Sequence, residues 1–173
     1  MANVAISGDT SGAVTLTVPA VAGTRTVTFP AATGTAMVSG NMPAFSAYAN
    51  TNQSYSASTF TKVTFGTVVF DTNSNFASST FTPTVAGYYQ VSTTLATNVT
   101  VSRFLVNLYK NGSRNNVLCD ISVSGMNTWG GSTLIYMNGS TDYLEVYIYT
   151  VGGSQVYGAA DSTNFTGVLV RAA

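Results

Sequence analysis

The chain has 173 residues, a length that fits one domain with a short extension. Its hydrophobic fraction of 45% is enough for a core, but only 7% of its residues are charged, against about 25% in an average soluble domain. Six basic and six acidic residues cancel and histidine is absent, which excludes electrostatic binding of nucleic acid and a polybasic contact with a membrane surface.

The polar residues are mostly uncharged. The chain has 19 Ser, 27 Thr and 14 Asn beside 10 Tyr and 9 Phe. Because Thr, Val, Tyr and Phe suit a pleated, half-buried surface, the composition indicates an all-β protein. A surface with so little charge gives weak protection against association, and we therefore expect the protein to be found assembled.

Residues 1–42 contain no Tyr or Trp and consist largely of Ala, Val, Thr and Gly. Alternation predicts strands at 14–18 and 26–29, each followed by a Pro-Ala pair that begins at Pro19 or Pro30. Proline ends each strand because it cannot donate to a ladder. Two short strands cannot build a core alone, so we expect the same segment of neighbouring copies to supply the missing partners. The alternative is a flexible leader.

The sequence shows no targeting signal. Residues 1–12 lack a basic start followed by an apolar stretch, so we expect no signal peptide. No apolar run approaches the roughly 18 residues of a transmembrane helix, and no membrane insertion is expected. Cys119 is the single cysteine and lies between Leu118 and Asp120 in a predicted strand. This position predicts a buried structural thiol rather than a disulfide or a nucleophile.

Aromatic residues begin after Met42 and continue to the end of the chain. Alternation of polar and apolar residues predicts short strands separated by turn signals, as in a sandwich or barrel. The Asn-Gly pairs at Asn111 and Asn138 are predicted to form type I′ hairpin turns, because Asn and Gly tolerate positive φ. The predicted strands are 44–49, 60–65, 67–70, 87–96, 100–110, 116–123, 132–137, 143–150 and 165–170.

The strand at 143–150 has two different faces. Leu144, Val146 and Ile148 share the face that is predicted core, whereas the other face carries three tyrosines and a glutamate. The strand at 87–96 alternates in the same way. Tyrosine has a bulky ring and a polar tip, so we predict a subunit interface; the alternative is that these tyrosines pack under loops of the same chain. The candidate interface residues are Tyr88, Gln90, Tyr143, Glu145, Tyr147 and Tyr149.

Residues 43–171 carry a series of short motifs. They are Pro43-Ala44-Phe45-Ser46-Ala47, then Val69-Phe70-Asp71 followed by Phe81-Thr82-Pro83 and Val85-Ala86-Gly87-Tyr88-Tyr89, then Leu108-Tyr109-Lys110-Asn111-Gly112, Asp142-Tyr143-Leu144-Glu145-Val146 and Asn164-Phe165-Thr166-Gly167-Val168-Leu169. In this order they resemble the C1q/tumour-necrosis-factor jelly-roll superfamily, and especially the C1q-like domains of bacteriophage fibre or tail proteins. The departures are the missing histidine and the generally uncharged surface.

The resemblance implies an all-β jelly-roll sandwich over residues 43–173 that assembles as a homotrimer. The tyrosine-bearing faces would then lie on the sheet that meets the threefold axis. Residues 1–42 are similar to segments that precede such domains in phage tail proteins, which implies that they attach the protein to other virion proteins.

The function that follows is that of a virion structural protein. We expect a trimeric phage fibre or fibre tip, made in the host cytoplasm and carried on the head or tail surface of the virion, whose head contacts a host-surface glycan or protein. A trimeric capsid decoration or cement protein is the main alternative. A polysaccharide-degrading enzyme is more remote, and the missing signal peptide disfavours a secreted C1q-like protein of non-viral origin.

No catalytic residue is predicted. Without histidine the chain lacks Ser-His-Asp and Cys-His arrangements and histidine-based zinc sites. Glu145 is the only Glu, and Asp142 lies three residues before it on a strand, so the two face opposite sides and do not form a glycosidase pair. A pair could still form across chains or from Asp71, Asp120 and Asp161. No cofactor is implied, and we expect no enzyme.

Residues 71–75 have the spacing D-x-N-x-N, with which a calcium loop begins. Phe76 and Thr82 stand where such a loop needs a glycine and a bidentate glutamate. The pattern therefore favours an Asx-rich connection, with a calcium site as the alternative.

Trp129 lies in a predicted loop with two following glycines. An exposed tryptophan can stack on a sugar or anchor a partner, which makes this residue the candidate ligand contact. Packing against its own domain is the alternative, because tryptophan is strongly buried on average.

Overall fold

The structure is a computed structural model. It describes residues 4–7, 10–17, 19–21, 23–24, 26–28, 31, 34, 36–125, 128–153 and 155–173, with the backbone alone at 4–5 and 123–125. The chain forms two compact units, Met1–Gly34 and Thr35–Ala173. In these described parts, no helix is long and apolar enough to span a membrane.

The first unit contains an antiparallel hairpin of β1 (Val4–Ser7) and β2 (Ala13–Leu16). A positive φ of 79° at Gly12 allows the chain to turn back into β2. The prediction of a strand at 14–18 is confirmed at 14–16 and wrong at residue 17, which follows the strand; residue 18 lies outside the described part. The predicted strand at 26–29 is wrong for 26–28, which pair with no strand; residue 29 is not described. Here β2 pairs with β1, which precedes it, instead of with a later strand.

The second unit is a sandwich of two antiparallel sheets, which confirms the predicted all-β class. A 3-10 turn at Ser39–Asn41 precedes the strands. The strands are β3 (Ala44–Tyr48), β4 (Gln53–Ser54), β5 (Thr61–Lys62), β6 (Thr67–Asp71), β7 (Phe76–Ala77), β8 (Thr80–Phe81), β9 (Gly87–Ala96), β10 (Val101–Lys110), β11 (Ser113–Gly125), β12 (Thr128–Met137), β13 (Leu144–Val151), β14 (Gln155–Val156) and β15 (Asn164–Ala172).

One sheet has five strands in the order β12-β9-β15-β3-β6. The other has six strands, with β11-β10-β13-β8-β7 in line and β5 also paired with β13. Strands β4 and β14 pair separately. Consecutive strands therefore often belong to different sheets, as the chain crosses repeatedly from one layer to the other.

The core lies between the two sheets and follows the period of two in the sequence. As predicted, the core face of β13 is fully buried at Leu144, Val146 and Ile148. In the opposite sheet, every second residue of β9 is also buried. Phe45 of β3 packs against Phe81 of β8 with ring centroids 4.4 Å apart. Aromatic contacts of this kind join the two sheets at the centre of the sandwich.

The two Asn-Gly pairs form different turns. Asn111 and Gly112 have φ values of 54° and 75° and join β10 to β11, which confirms the predicted type I′ hairpin. The same prediction at Asn138 is wrong, because only Gly139 has positive φ there and the segment leads from one sheet to the other. Its geometry comes instead from the Asn138 side chain, whose Oδ1 accepts the backbone N–H groups of the next residues.

Candidate interface and binding surfaces

The six predicted interface residues lie on two different sheets. Tyr88 and Gln90 belong to β9 of the five-stranded sheet, whereas Glu145, Tyr147 and Tyr149 belong to β13 of the six-stranded sheet and Tyr143 directly precedes it. The outward faces of a sandwich point in opposite directions. The expectation that all the tyrosine-bearing faces share one sheet is therefore wrong, since alternation along a strand does not reveal which sheet the strand joins.

The outward face of the five-stranded sheet carries almost no charge, and we call it the uncharged face. Among its five strands, the charged residues are Asp71 and Arg171, which lie at or near the ends of β6 and β15. The side chains that form its centre are Leu134 and Tyr136 of β12, Tyr88, Gln90 and Ser92 of β9, Thr166 and Val168 of β15, Ala44 and Ser46 of β3, and Phe70 of β6.

Large apolar side chains on the uncharged face are exposed to solvent. Leu134 is 55% exposed, Phe70 49% and Val168 42%, and the rings of Tyr88 and Tyr136 lie 5.5 Å apart. A shallow depression of about 300 Å³ lies among the side chains of the central strands. Large apolar groups grouped on one sheet are typical of a surface that meets another protein.

The ion pairs of the sandwich involve the other sheet. Lys62 Nζ lies 2.8 Å from Glu145 Oε1, and the guanidinium of Arg103 binds both carboxylate oxygens of Asp120 at 3.0 and 2.8 Å. The pKa of Asp120 is lowered, chiefly by the hydrogen bond from Arg103. The six-stranded sheet thus carries the charged surface, and the two faces of the sandwich differ in chemistry.

An aromatic cluster covers part of the six-stranded sheet. Tyr147 stacks on Tyr109 with ring centroids 3.9 Å apart, and Phe60 approaches Tyr149 at 4.9 Å. Phe60 lies before β5, in another segment of the same chain. The contact of Tyr149 therefore matches the alternative interpretation of the sequence, in which these tyrosines pack under loops of their own chain. Burial, together with the negative charge of Glu145, raises the pKa of Tyr147.

The carboxylates of Glu145, Asp142 and Asp71 each have their own partners. Glu145 also accepts a hydrogen bond from Thr80, while Asp142 pairs with Lys110 at 2.8 Å. Asp71 accepts the backbone N–H groups of Phe76 at 2.7 Å and Asn73 at 3.4 Å, as in an Asx-rich connection. Within the described ranges, no group of three or more His, Cys, Asp or Glu residues is placed to hold a metal ion.

Trp129 and Cys119 both lie on strands. Trp129 belongs to β12, so the predicted loop is wrong; its ring is half-buried and packs 5.5 Å from that of Phe104. Two glycines after it continue the strand because they permit a close approach of neighbouring backbones.

Cys119 of β11 is half-buried, and burial, reinforced by the charge of Asp120, raises the pKa of its thiol.

A pocket of about 240 Å³ opens between the β4–β14 pair and the six-stranded sheet. Sequence analysis did not find it, because its walls come from segments far apart in the chain. Its lining residues are Gln53, Ser54, Tyr55, Thr61, Lys62, Val63, Thr64, Ile148 and Val156.

Comparison with known proteins was made for both sequence and structure. The family model of the C1q domain matches residues 44–170. The search of curated protein sequences gave no match.

Among solved structures, the globular domain of zebrafish complement 1qA protein is 18% identical and superposes with a TM-score of 0.60, covering 76% of this chain and 98% of its own. Murine APRIL is 13% identical with a TM-score of 0.59, and the coverage is 75% and 99%. The Eiger TNF of S. frugiperda is 12% identical with a TM-score of 0.58, and the coverage is 77% and 95%. At these identities the likeness shows a shared fold.

Proposed function

This chain belongs to the C1q domain family, and from that premise we propose that it is a non-enzymatic virion structural protein. In this proposal it forms a homotrimeric phage fibre or fibre tip, and its C1q-like head contacts the host cell surface. The observation that carries the proposal is the uncharged face, which exposes apolar side chains on one sheet of the sandwich.

The uncharged face is the proposed trimer interface. Its exposed side chains, such as Leu134, Phe70 and Val168, lose water at little cost, since few charges must be desolvated with them. Tyr88 and Gln90 of the predicted interface residues lie here. The other four predicted residues, Tyr143, Glu145, Tyr147 and Tyr149, lie on or directly before β13 of the six-stranded sheet and stay outside this interface.

The hairpin of the first unit supports an anchoring role. Ile6 pairs with Val14, and both side chains are exposed, as is Leu16 at the end of β2. A two-stranded hairpin is marginally stable alone, so such a surface is completed by a partner. Other virion proteins are the proposed partner, which agrees with the resemblance of this segment to those that precede the heads of phage tail proteins.

Three identical heads on one trimer explain how weak contacts with a cell surface can hold a particle. Each head presents the same site, so binding by one head raises the effective concentration of the other two. Uncharged Ser, Thr, Asn and Tyr side chains, which dominate this composition, suit adaptable and wet contacts.

A trimeric capsid decoration or cement protein is the second candidate function. The exposed apolar side chains of the hairpin favour it, because a short strap can lie across a joint between capsid subunits. The number of copies on purified particles separates the two functions: a decoration protein covers the capsid in high number, whereas a fibre tip occurs at a few sites. Electron microscopy with antibody against the head shows which location is occupied.

The trimer is tested by light scattering over a range of protein concentrations. We expect a constant mass of three chains for the natural protein and a monomer for Val168→Asp, which places three charges in the interface. Val117→Asp is the matched control, because Val117 is also an exposed strand valine but lies on the six-stranded sheet. A monomeric natural protein, or a trimer that tolerates Val168→Asp, contradicts the proposed interface.

A further inference from the structure

We propose that the pocket between the β4–β14 pair and the six-stranded sheet binds one neutral monosaccharide unit of a glycan. This inference deepens the proposed function and rests on it for the source of the glycan, the host cell surface. The pocket itself consists of residues of one head, so that each head of the trimer carries a complete site.

The walls of the pocket are already in place. Gln53 of β4 accepts the backbone N–H of Thr64 at 2.7 Å and donates its amide to the carbonyl of the same residue. This double hydrogen bond holds β4 against the segment after β5. A site that needs no ordering when a ligand enters keeps more of its binding free energy.

The size of the pocket suits a single sugar ring. Its volume of about 240 Å³ lies below the roughly 300–1,000 Å³ of sites for drug-sized ligands. Val63, Ile148 and Val156 also line the pocket but are at most 1% exposed, so the aromatic lining residue that a ligand can reach is the half-buried Tyr55. The C–H groups of a sugar ring can pack on an aromatic ring while its hydroxyls reach the rim.

The rim of the pocket offers hydroxyl groups to a ligand. Ser54 and Thr64 are exposed, and in the described part of the chain their hydroxyls make no hydrogen bond. Each hydroxyl can both donate and accept, which matches the hydroxyls of a sugar. Polar groups beside an aromatic side chain, here Tyr55, form a usual arrangement of a small-molecule site.

The charge of the pocket selects a neutral ligand. Among the described residues that line it, Lys62 is the one that carries a charge, and its ammonium group lies 2.8 Å from Glu145 and 2.7 Å from the hydroxyl of Thr80. Glu145 cancels the charge, so an anionic sugar gains no free countercharge here.

Saturation-transfer NMR on the full-length protein tests this inference. The probes are the methyl glycosides of glucose, galactose, mannose and N-acetylglucosamine, with glucuronic acid and N-acetylneuraminic acid as anionic probes. We expect at least one neutral glycoside to bind with a dissociation constant on the order of 1 mM, as befits so small a ligand, and the anionic probes to bind more weakly.

Ser54→Ile should weaken that binding at least tenfold, because the larger side chain enters the pocket. Ser56→Ile is the control, since Ser56 is exposed and does not line the pocket. Thermal unfolding of both variants checks that they fold. Absence of binding by all four neutral glycosides, equal binding by Ser54→Ile, or stronger binding of the anionic probes overturns the inference.

Light scattering and particle analysis separate this inference from the proposed function. A trimer found on virions that binds none of the neutral glycosides overturns the sugar site alone. A monomer that binds a neutral glycoside through the pocket overturns the trimeric fibre and supports the site.

Discussion

Gly130 and Gly131 lie where β12 passes two neighbouring strands at close range. A Cβ on Gly130 would overlap the backbone oxygen of Thr93 in β9, and a Cβ on Gly131 would overlap that of Leu118 in β11. Only glycine fits at both positions, and the pair lets β12 lie beside β9 of its own sheet and against β11 of the other. The sequence pattern of two glycines after a tryptophan instead indicated a loop.

Gly130→Ala should therefore destabilise the head by about 1–3 kcal/mol, the usual effect of overpacking. Chemical denaturation measures the change in the free energy of unfolding. Gly40→Ala is the control, because no atom lies within 4 Å of a Cβ placed there. An equal effect of both substitutions would contradict the proposed close approach.

Asn107 is a buried polar residue whose side chain has no hydrogen-bond partner in the described part of the chain. It is fully buried on β10, opposite Tyr147 of β13. Asn107→Leu removes this unpaired carboxamide at similar volume and is expected to stabilise the protein by about 1 kcal/mol. Thermal unfolding is the measurement, and Asn115→Leu on the exposed surface of β11 is the control. A lower unfolding temperature for Asn107→Leu would show that its carboxamide is bonded in solution.

At the scale of elements, strand pattern and strand pairing have different origins. β9 spans Gly87–Ala96, the range that alternation predicted, and β13 is shifted by one residue from its prediction. In the second unit, the predicted strand at 60–65 is reduced to Thr61–Lys62, and β4, β7, β8 and β14 were not predicted. Each of these has two residues, too few to show a period, and they are strands only because a neighbour pairs with them.

Asp142 contacts the end of β10, the turn between β10 and β11, and the residue that follows β12. Its carboxylate accepts hydrogen bonds from Asn111 in the β10–β11 turn and from the backbone N–H of Asn138 after β12, and it pairs with Lys110 of β10. Burial alone would raise the pKa of Asp142, but these hydrogen bonds and the charge of Lys110 outweigh it and lower the pKa.

The lowered pKa predicts how stability depends on pH. A carboxylate whose pKa is lower in the folded state stabilises the protein above its unfolded pKa of about 3.9 and loses this effect as the pH falls through the folded value. We expect the unfolding temperature of the natural protein to fall more steeply below pH 4 than that of Asp142→Asn. Parallel pH profiles would show that Asp142 does not contribute.

At the scale of the whole molecule, the chain divides into a hairpin unit and a head. The head, Thr35–Ala173, includes residues before β3, where Asn73 donates to the carbonyl of Gly40 at 3.0 Å. It contains the continuous core of the sandwich and the uncharged face. The head therefore has what a domain needs to fold by itself.

On the proposed function, a protein that begins at Thr35 should unfold within a few degrees of the natural protein and should form the proposed trimer. It should no longer attach to virions that lack the natural protein. Calorimetry, light scattering and a particle-binding assay measure these properties. Loss of the trimer on truncation would place the main association in residues 1–34.

The sequence by itself determined the all-β class, the buried and outward faces of the long strands, and the type I′ turn at Asn111-Gly112. These follow from local rules: a period of two sorts side chains, and Asn-Gly tolerates positive φ. Tertiary structure alone decided that β9 and β13, which alternate alike, lie in opposite sheets. It also decided that Glu145 faces Lys62 and that Ser54 and Val156 line one pocket. These features depend on pairing between distant segments, and the local sequence of a strand does not specify the strand with which it pairs.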